Sequence, residues 1–197
     1  MIGPVPLTVL LVAGSGFAGL TAAALAGTLP VEAQVRHALL GWATPLMLEV
    51  LEVVNLAGDW RVILPGSLLL FAIFPQARAR WWVWLTLIIA TPLAESAAKY
   101  LVARPRPEDL SLGFPSGHVT AAAAFFSALC YMAGALPSRR ARLAVRTGAA
   151  LIVVMVALAR VLLRAHWPTD ALGGAALGLA LASAAALAAQ APAGEER

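Results

Sequence analysis

The sequence predicts an all-α integral membrane bundle of six transmembrane helices, with an extra amphipathic helical segment between spans one and two. Three observations lead there. The 197 residues are 61% hydrophobic and 12% charged, against about 25% charged in an ordinary soluble domain. The mean hydropathy is +0.84. Six apolar segments, each close to the roughly 20 residues that cross a bilayer, follow one another along the chain with no soluble appendage. A single domain over residues 1–197 is expected.

The first span is placed at about 6–28, where Gly14, Gly16 and Gly19 suit close helix packing. No Lys or Arg precedes Arg36. A cleaved signal peptide needs a basic leader, so this segment reads as a retained span. The second span is expected at about 60–76, the third at 81–102 and the fourth at 117–136. The fifth is expected at about 144–164 and the sixth at 168–190, followed by a short frayed tail. Gly174 and Gly178 form a small-residue packing motif in the sixth.

Residues 31–58 differ. Glu32, Arg36, His37, Glu49, Glu52 and Asn55 alternate with apolar residues at helical spacing. That pattern predicts one or two amphipathic helices at the interface or capping the bundle. A tilted span is the alternative there, and it would carry costly charges.

Charge bias orients the chain. Arg78 and Arg80 fall in one short loop; Arg139, Arg140 and Arg142 fall in another, with Arg146 just beyond. Six spans put both loops on one side, expected to be cytoplasmic. Trp81, Trp82 and Trp84 fit an interfacial aromatic belt. The loops at 103–116 and 164–168 then face the extracytoplasmic side of the plasma membrane.

The net charge of +4 does not indicate nucleic acid, because no basic stripe interleaved with surface aromatics exists. The single Cys130 excludes an internal disulfide and reads as packing.

The chemistry-bearing residues fall in three clusters between 99 and 170. Lys99, the only lysine, ends the third span, and Arg106-Pro107 follows it. Arg160 lies near the end of the fifth span. Arg matches phosphate oxygens as a fork and Lys as a point charge. Arg104 and Arg164 are read equally well as interface snorkellers. Pro115-Ser116-Gly117-His118 opens the fourth span. Ser116 is expected to cap that helix, Gly117 to let backbone approach a ligand, and the helix start to favour an anion.

His166 lies four residues before Asp170, so the two share a helix face. A carboxylate on one ring nitrogen fixes the tautomer and leaves the other nitrogen as a nucleophile. A second histidine, His118, can donate to a leaving oxygen. His37 has no such partners and reads as structural. Two His and one Asp suit zinc, but the surrounding cations repel a metal ion, so an anion site without metal or other cofactor is the better match. Glu95, one turn before Lys99, is expected to pair with it and set its position.

These residues resemble the signature of the type 2 phosphatidic acid phosphatase (PAP2) superfamily: K-x6-RP at Lys99 to Pro107, PSGH at 115–118, and SR-x5-H-x3-D ending at Asp170. The one departure is Ala159 where the family usually has Ser, which removes one hydrogen bond to phosphate. The resemblance implies that His166 forms a phosphohistidine, Asp170 orients it, and His118 serves the leaving group and then water. It also implies that Lys99, Arg106, Ser116, Gly117 and Arg160 hold the phosphoryl oxygens. The expected partner is a lipid phosphate in the bilayer. Polyprenyl diphosphate is favoured on family habit, with phosphatidic acid and phosphatidylglycerol phosphate as alternatives. Two other classes stay open: a vanadate-dependent haloperoxidase-like enzyme, and a lipid transporter without catalysis.

Overall fold

The structure, a computed structural model, describes residues 4–191. The tail expected after the last helix therefore lies outside the described residues. Within them the chain is helical, with one isolated bridge between Pro105 and Leu112. The helices are α1 (Pro4–Leu25), α2 (Pro30–Gly41), α3 (Pro45–Asn55), α4 (Trp60–Ile73), α5 (Pro75–Ala79), α6 (Trp81–Val102), α7 (Gly117–Met132), α8 (Arg139–Leu162) and α9 (Pro168–Gln190).

Proline and short polar side chains set several of these boundaries. Pro30, Pro45, Pro75 and Pro168 open α2, α3, α5 and α9, where a missing N–H costs nothing. Thr44 caps α3 by accepting from Met47 N, Asp59 caps α4 from Arg61 N, and Ser138 caps α8 from Ala141 N. α6 stops at Ala103, which takes a left-handed conformation (φ 50°), and the Pro105 and Pro107 that follow prevent continuation.

α1, α6, α7, α8 and α9 are long and apolar enough to cross a membrane. α4 is shorter than the expected second span. Its 14 residues rise about 21 Å, less than the roughly 30 Å hydrocarbon core, and the chain turns at Phe74-Pro75. The 31–58 segment forms two helices, as its pattern predicts. They are bent by 114° at a short break, which matches either a broken span or a re-entrant hairpin. α8 begins at Arg139, so Arg139, Arg140 and Arg142 lie in its first turn and not in the preceding loop. Ser138 makes that earlier start favourable.

α7 packs most extensively on α9, and α9 also carries α1. The α7–α9 approach depends on glycine. A Cβ on Gly174 would lie 2.6 Å from Ser116 O, and one on Gly178 would lie 2.5 Å from Thr120 O. Gly14, Gly16 and Gly19 do not play the expected part: a Cβ on each meets open space, so α1 packs through other residues.

The two ends of the bundle differ. At one end, Arg80 donates to Ala191 O, Gln76 to Met132 O, and Arg142 to Leu136 O. At the other end meet the C-termini of α6 and α8, the N-termini of α7 and α9, and the α2–α3 hairpin.

Candidate active site

The site is built at that second end, starting from the first turn of α9. Asp170 Oδ2 accepts the backbone N–H of Trp167 at 3.0 Å, which satisfies a free donor at the helix start and fixes the carboxylate. The same oxygen lies 3.3 Å from His166 Nδ1. His166 is itself held from the other side, because its N–H donates to Arg160 O at the end of α8. His166 is 1% exposed and Asp170 is fully buried.

This environment favours the neutral form of His166. Burial pushes its pKa below 6.5. The hydrogen bond to Asp170 acts in the opposite sense, and the charges of Arg160 and Arg106 add to the lowering. With Nδ1–H donated to Asp170, Nε2 keeps its lone pair.

Ser116 stands beside this pair. Its N–H donates to Asp170 O at 2.9 Å, which ties the start of α7 to the start of α9. Its side chain does not cap α7, contrary to expectation. The Oγ is buried without a protein partner, and so is Arg160 Nε. Arg160 reaches Asn55 Oδ1 at the end of α3 with another nitrogen, at 3.2 Å. Buried donors left unpaired in a fold are costly unless something else binds them. Here two stand around the same histidine.

His118, the second residue of α7, has a half-buried side chain within electrostatic range of Arg160, His166 and Arg106. Its Nε2 lies 3.9 Å from Asp59 Oδ2, an electrostatic contact longer than a hydrogen bond. Gly58 makes the approach possible, since a Cβ there would lie 2.5 Å from His118 O. Lys99 and Glu95 form the expected ion pair one helical turn apart. Glu95 Oε1 lies 2.9 Å from where a Cβ on Gly117 would sit, so Gly117 lets α6 and α7 close together. Arg106 is partly exposed, 3.9 Å from Asp109, with its Nε directed to Leu112 O at 3.4 Å.

Several partners escaped the sequence reading. Arg104 is not a snorkeller: it is 4% exposed and binds Asp170, Thr169 and Glu32. Arg164 is exposed and pairs with Glu108, which also binds Arg36. Asp59 and Asn55 meet His118 and Arg160 only through the hairpin's return. His37 is exposed on α2.

Below the polar cluster an apolar cavity of about 410 Å³ runs between α4, α6 and α7. Glu95 and Gly117 line one end, and Ala77 and Met132 line the other. Among the described residues, no group of three His, Cys, Asp or Glu side chains is disposed to hold a metal ion.

Comparison with known proteins agrees with this geometry. The fold is similar to the crystal structure of the first transmembrane PAP2 type phosphatidylglycerolphosphate phosphatase from Bacillus subtilis. That match has 27% identity and a TM-score of 0.74, and covers 91% of this chain and 93% of that one. Aquifex aeolicus LpxE shares the fold at 17% identity and a TM-score of 0.61, over 80% of this chain and 95% of that one. A sequence search of curated proteins finds no match. The model of the PAP2 superfamily matches residues 80–192, more than half the chain and all three motifs at the site. This chain belongs to the PAP2 superfamily of membrane phosphatases.

Proposed function

We propose that the chain hydrolyses a lipid phosphate at the extracytoplasmic face of the plasma membrane, through a phosphohistidine at His166. The observation that carries this reading is the buried His166–Asp170 pair, flanked by the unpartnered donors of Ser116 and Arg160, with Gly117, the residue after Ser116, lining one end of an apolar cavity.

The reaction proceeds in two displacements. His166 Nε2 attacks phosphorus, and the bond to the ester or bridging oxygen breaks. His118 delivers a proton to that oxygen, so the lipid leaves as an alcohol or a monophosphate. The Asp170 carboxylate balances the positive charge that develops on the His166 ring. His118, now neutral, takes a proton from water. The hydroxide attacks the phosphoryl group, the N–P bond breaks, and inorganic phosphate is released. Arg106, Arg160, Lys99, the Ser116 hydroxyl and the N–H groups at Gly117 hold the equatorial oxygens, where charge accumulates. Glu95 holds Lys99 in place. The cavity between α4, α6 and α7 receives the lipid tail, since its lining is apolar and one end meets Glu95 and Gly117.

Polyprenyl diphosphate is joined as a leading substrate by phosphatidylglycerol phosphate, because the relative at 27% identity is a phosphatase of that lipid. The deciding experiment is phosphate release by purified protein in detergent with EDTA, from these two lipids and phosphatidic acid. Release abolished in His166→Ala, together with acid-labile labelling of the wild type by radioactive substrate, supports the reading. Release that needs added metal, or survives in the variant, refutes it.

A further inference from the structure

Glu32 is a carboxylate from a segment expected at the surface, yet it is 4% exposed. It comes from the first turn of α2 and reaches into the start of α9. One oxygen accepts the Thr169 N–H at 2.9 Å and the Thr169 hydroxyl. The other accepts Arg104 Nη2 at 2.5 Å. The opposite arm of the same guanidinium, Nη1, binds Thr169 Oγ1 at 2.5 Å and Asp170 Oδ1 at 3.2 Å. Asp170 thus presents one oxygen to Arg104 and the other to His166. Glu32, Arg104 and Asp170 form a row of alternating charge, minus, plus, minus, that ends on the reactive imidazole.

Local capping does not require this row. Asp170 already caps α9 through Trp167 N, and Arg104 alone would satisfy Asp170 Oδ1. Asp170 with Arg104 alone would be a neutral pair; with Glu32 the buried row carries a net charge of one negative unit.

We propose that Glu32 and Arg104 are positioning residues that hold Asp170 and set its field on His166, so that α2 clamps the site from outside the motif-bearing helices. The inference rests on the phosphohistidine reading for its catalytic consequence, but its charge relationship is measurable without turnover. The other charged groups facing the pair are Arg36 from α2, Arg106 and Asp109 from the α6–α7 loop, His118 from α7 and Arg160 from α8. None of these joins the row by hydrogen bond.

The test is an NMR titration of ¹⁵N-histidine-labelled protein in detergent, for wild type, Glu32→Gln, Arg104→Gln and the double variant. Glu32→Gln removes one negative charge, and the His166 midpoint falls by about one pH unit. Arg104→Gln removes the positive charge, and the midpoint rises by a similar amount. The double variant restores the net charge and returns the midpoint toward wild type. If phosphatase activity is present, Glu32→Gln lowers kcat by up to about tenfold with KM within about twofold.

Equal midpoints in all four proteins overturn the proposal, and so do shifts in the same direction for both single variants, which report loosened packing. If a single variant does not fold, the double, which keeps the row's net charge of one negative unit on Asp170, still decides: a displaced midpoint sinks the charge-sum relationship. Variants that show these shifts, with a wild type that releases no phosphate, would remove the proposed function and leave the clamp standing.

Discussion

His166 Nδ1 lies 3.3 Å from Asp170 Oδ2, and the same oxygen accepts the Trp167 N–H at 3.0 Å. One carboxylate therefore starts a helix and aligns a nucleophile. Replacement by Asn keeps the shape and loses the charge. Asp170→Asn is expected to lower kcat by about 10²–10⁴-fold, because the tautomer is no longer fixed and the ring charge is no longer balanced. It also leaves Arg104 paired only with Glu32. Steady-state phosphate release and trapping of the phosphoenzyme measure the loss. Activity within about twofold of wild type would detach Asp170 from the chemistry.

The burial of His166 has a pH consequence with a definite sign. Burial lowers the folded-state pKa, and the Asp170 hydrogen bond only partly offsets it. The unfolded chain therefore binds a proton first as pH falls below 6.5, the ordinary value. The stability contribution is complete above that pH and is lost as pH drops from it toward the folded pKa. His166 should titrate below 6.5 by ¹⁵N NMR, and thermal unfolding should shift to lower temperature on acidification through this window. A His166 midpoint above 6.5 would mean that Asp170 outweighs burial.

Much of this site was legible because its pairs are local. His166 with Asp170 and Glu95 with Lys99 are four residues apart, and a helix makes such residues neighbours. The charges at span ends also stood out against an apolar background. Long-range partners carried no comparable signal. Glu32 meets Arg104 across 72 residues and Asn55 meets Arg160 across 105. Only the fold of the α2–α3 hairpin brings them in. Ser116 looked like a helix cap because its type and place fit one. Its backbone N–H instead holds Asp170 O, and its hydroxyl stays unpaired. The glycines of α1 and α9 looked alike in sequence, and only the distance to the neighbouring backbone separates them.

That distance sets a stability prediction. At Gly178 an added Cβ meets Thr120 O and Ala124 N, backbone atoms of α7 that cannot swing away. Gly178→Ala should cost about 1–3 kcal/mol through forced separation of α7 and α9. Gly174→Ala should also lower activity, since the clash falls on Ser116 O. Gly16→Ala and Gly19→Ala on α1 meet open space and should lie within about 0.5 kcal/mol of wild type. Thermal unfolding in detergent compares the four. Equal losses at all positions would show that helix contact is not what Gly178 provides.

The cavity between α4, α6 and α7 allows the lipid tail to be separated from the headgroup. Ala121 lines the cavity on α7, one turn beyond Gly117. A larger side chain there removes tail volume while Ser116, His118 and His166 keep their places. Ala121→Phe should lower kcat/KM for a long-chain lipid phosphate by about tenfold or more, the scale on which an apolar pocket discriminates added bulk. Hydrolysis of a short-chain, water-soluble phosphate ester should stay within about twofold, because that substrate needs only the cations and histidines. The ratio of the two rates is the measurement, so a general loss of active protein cancels. Equal losses on both substrates would mean that the phenyl ring disturbs the phosphate site. No loss on either would place the lipid tail outside this cavity, against another face of the bundle.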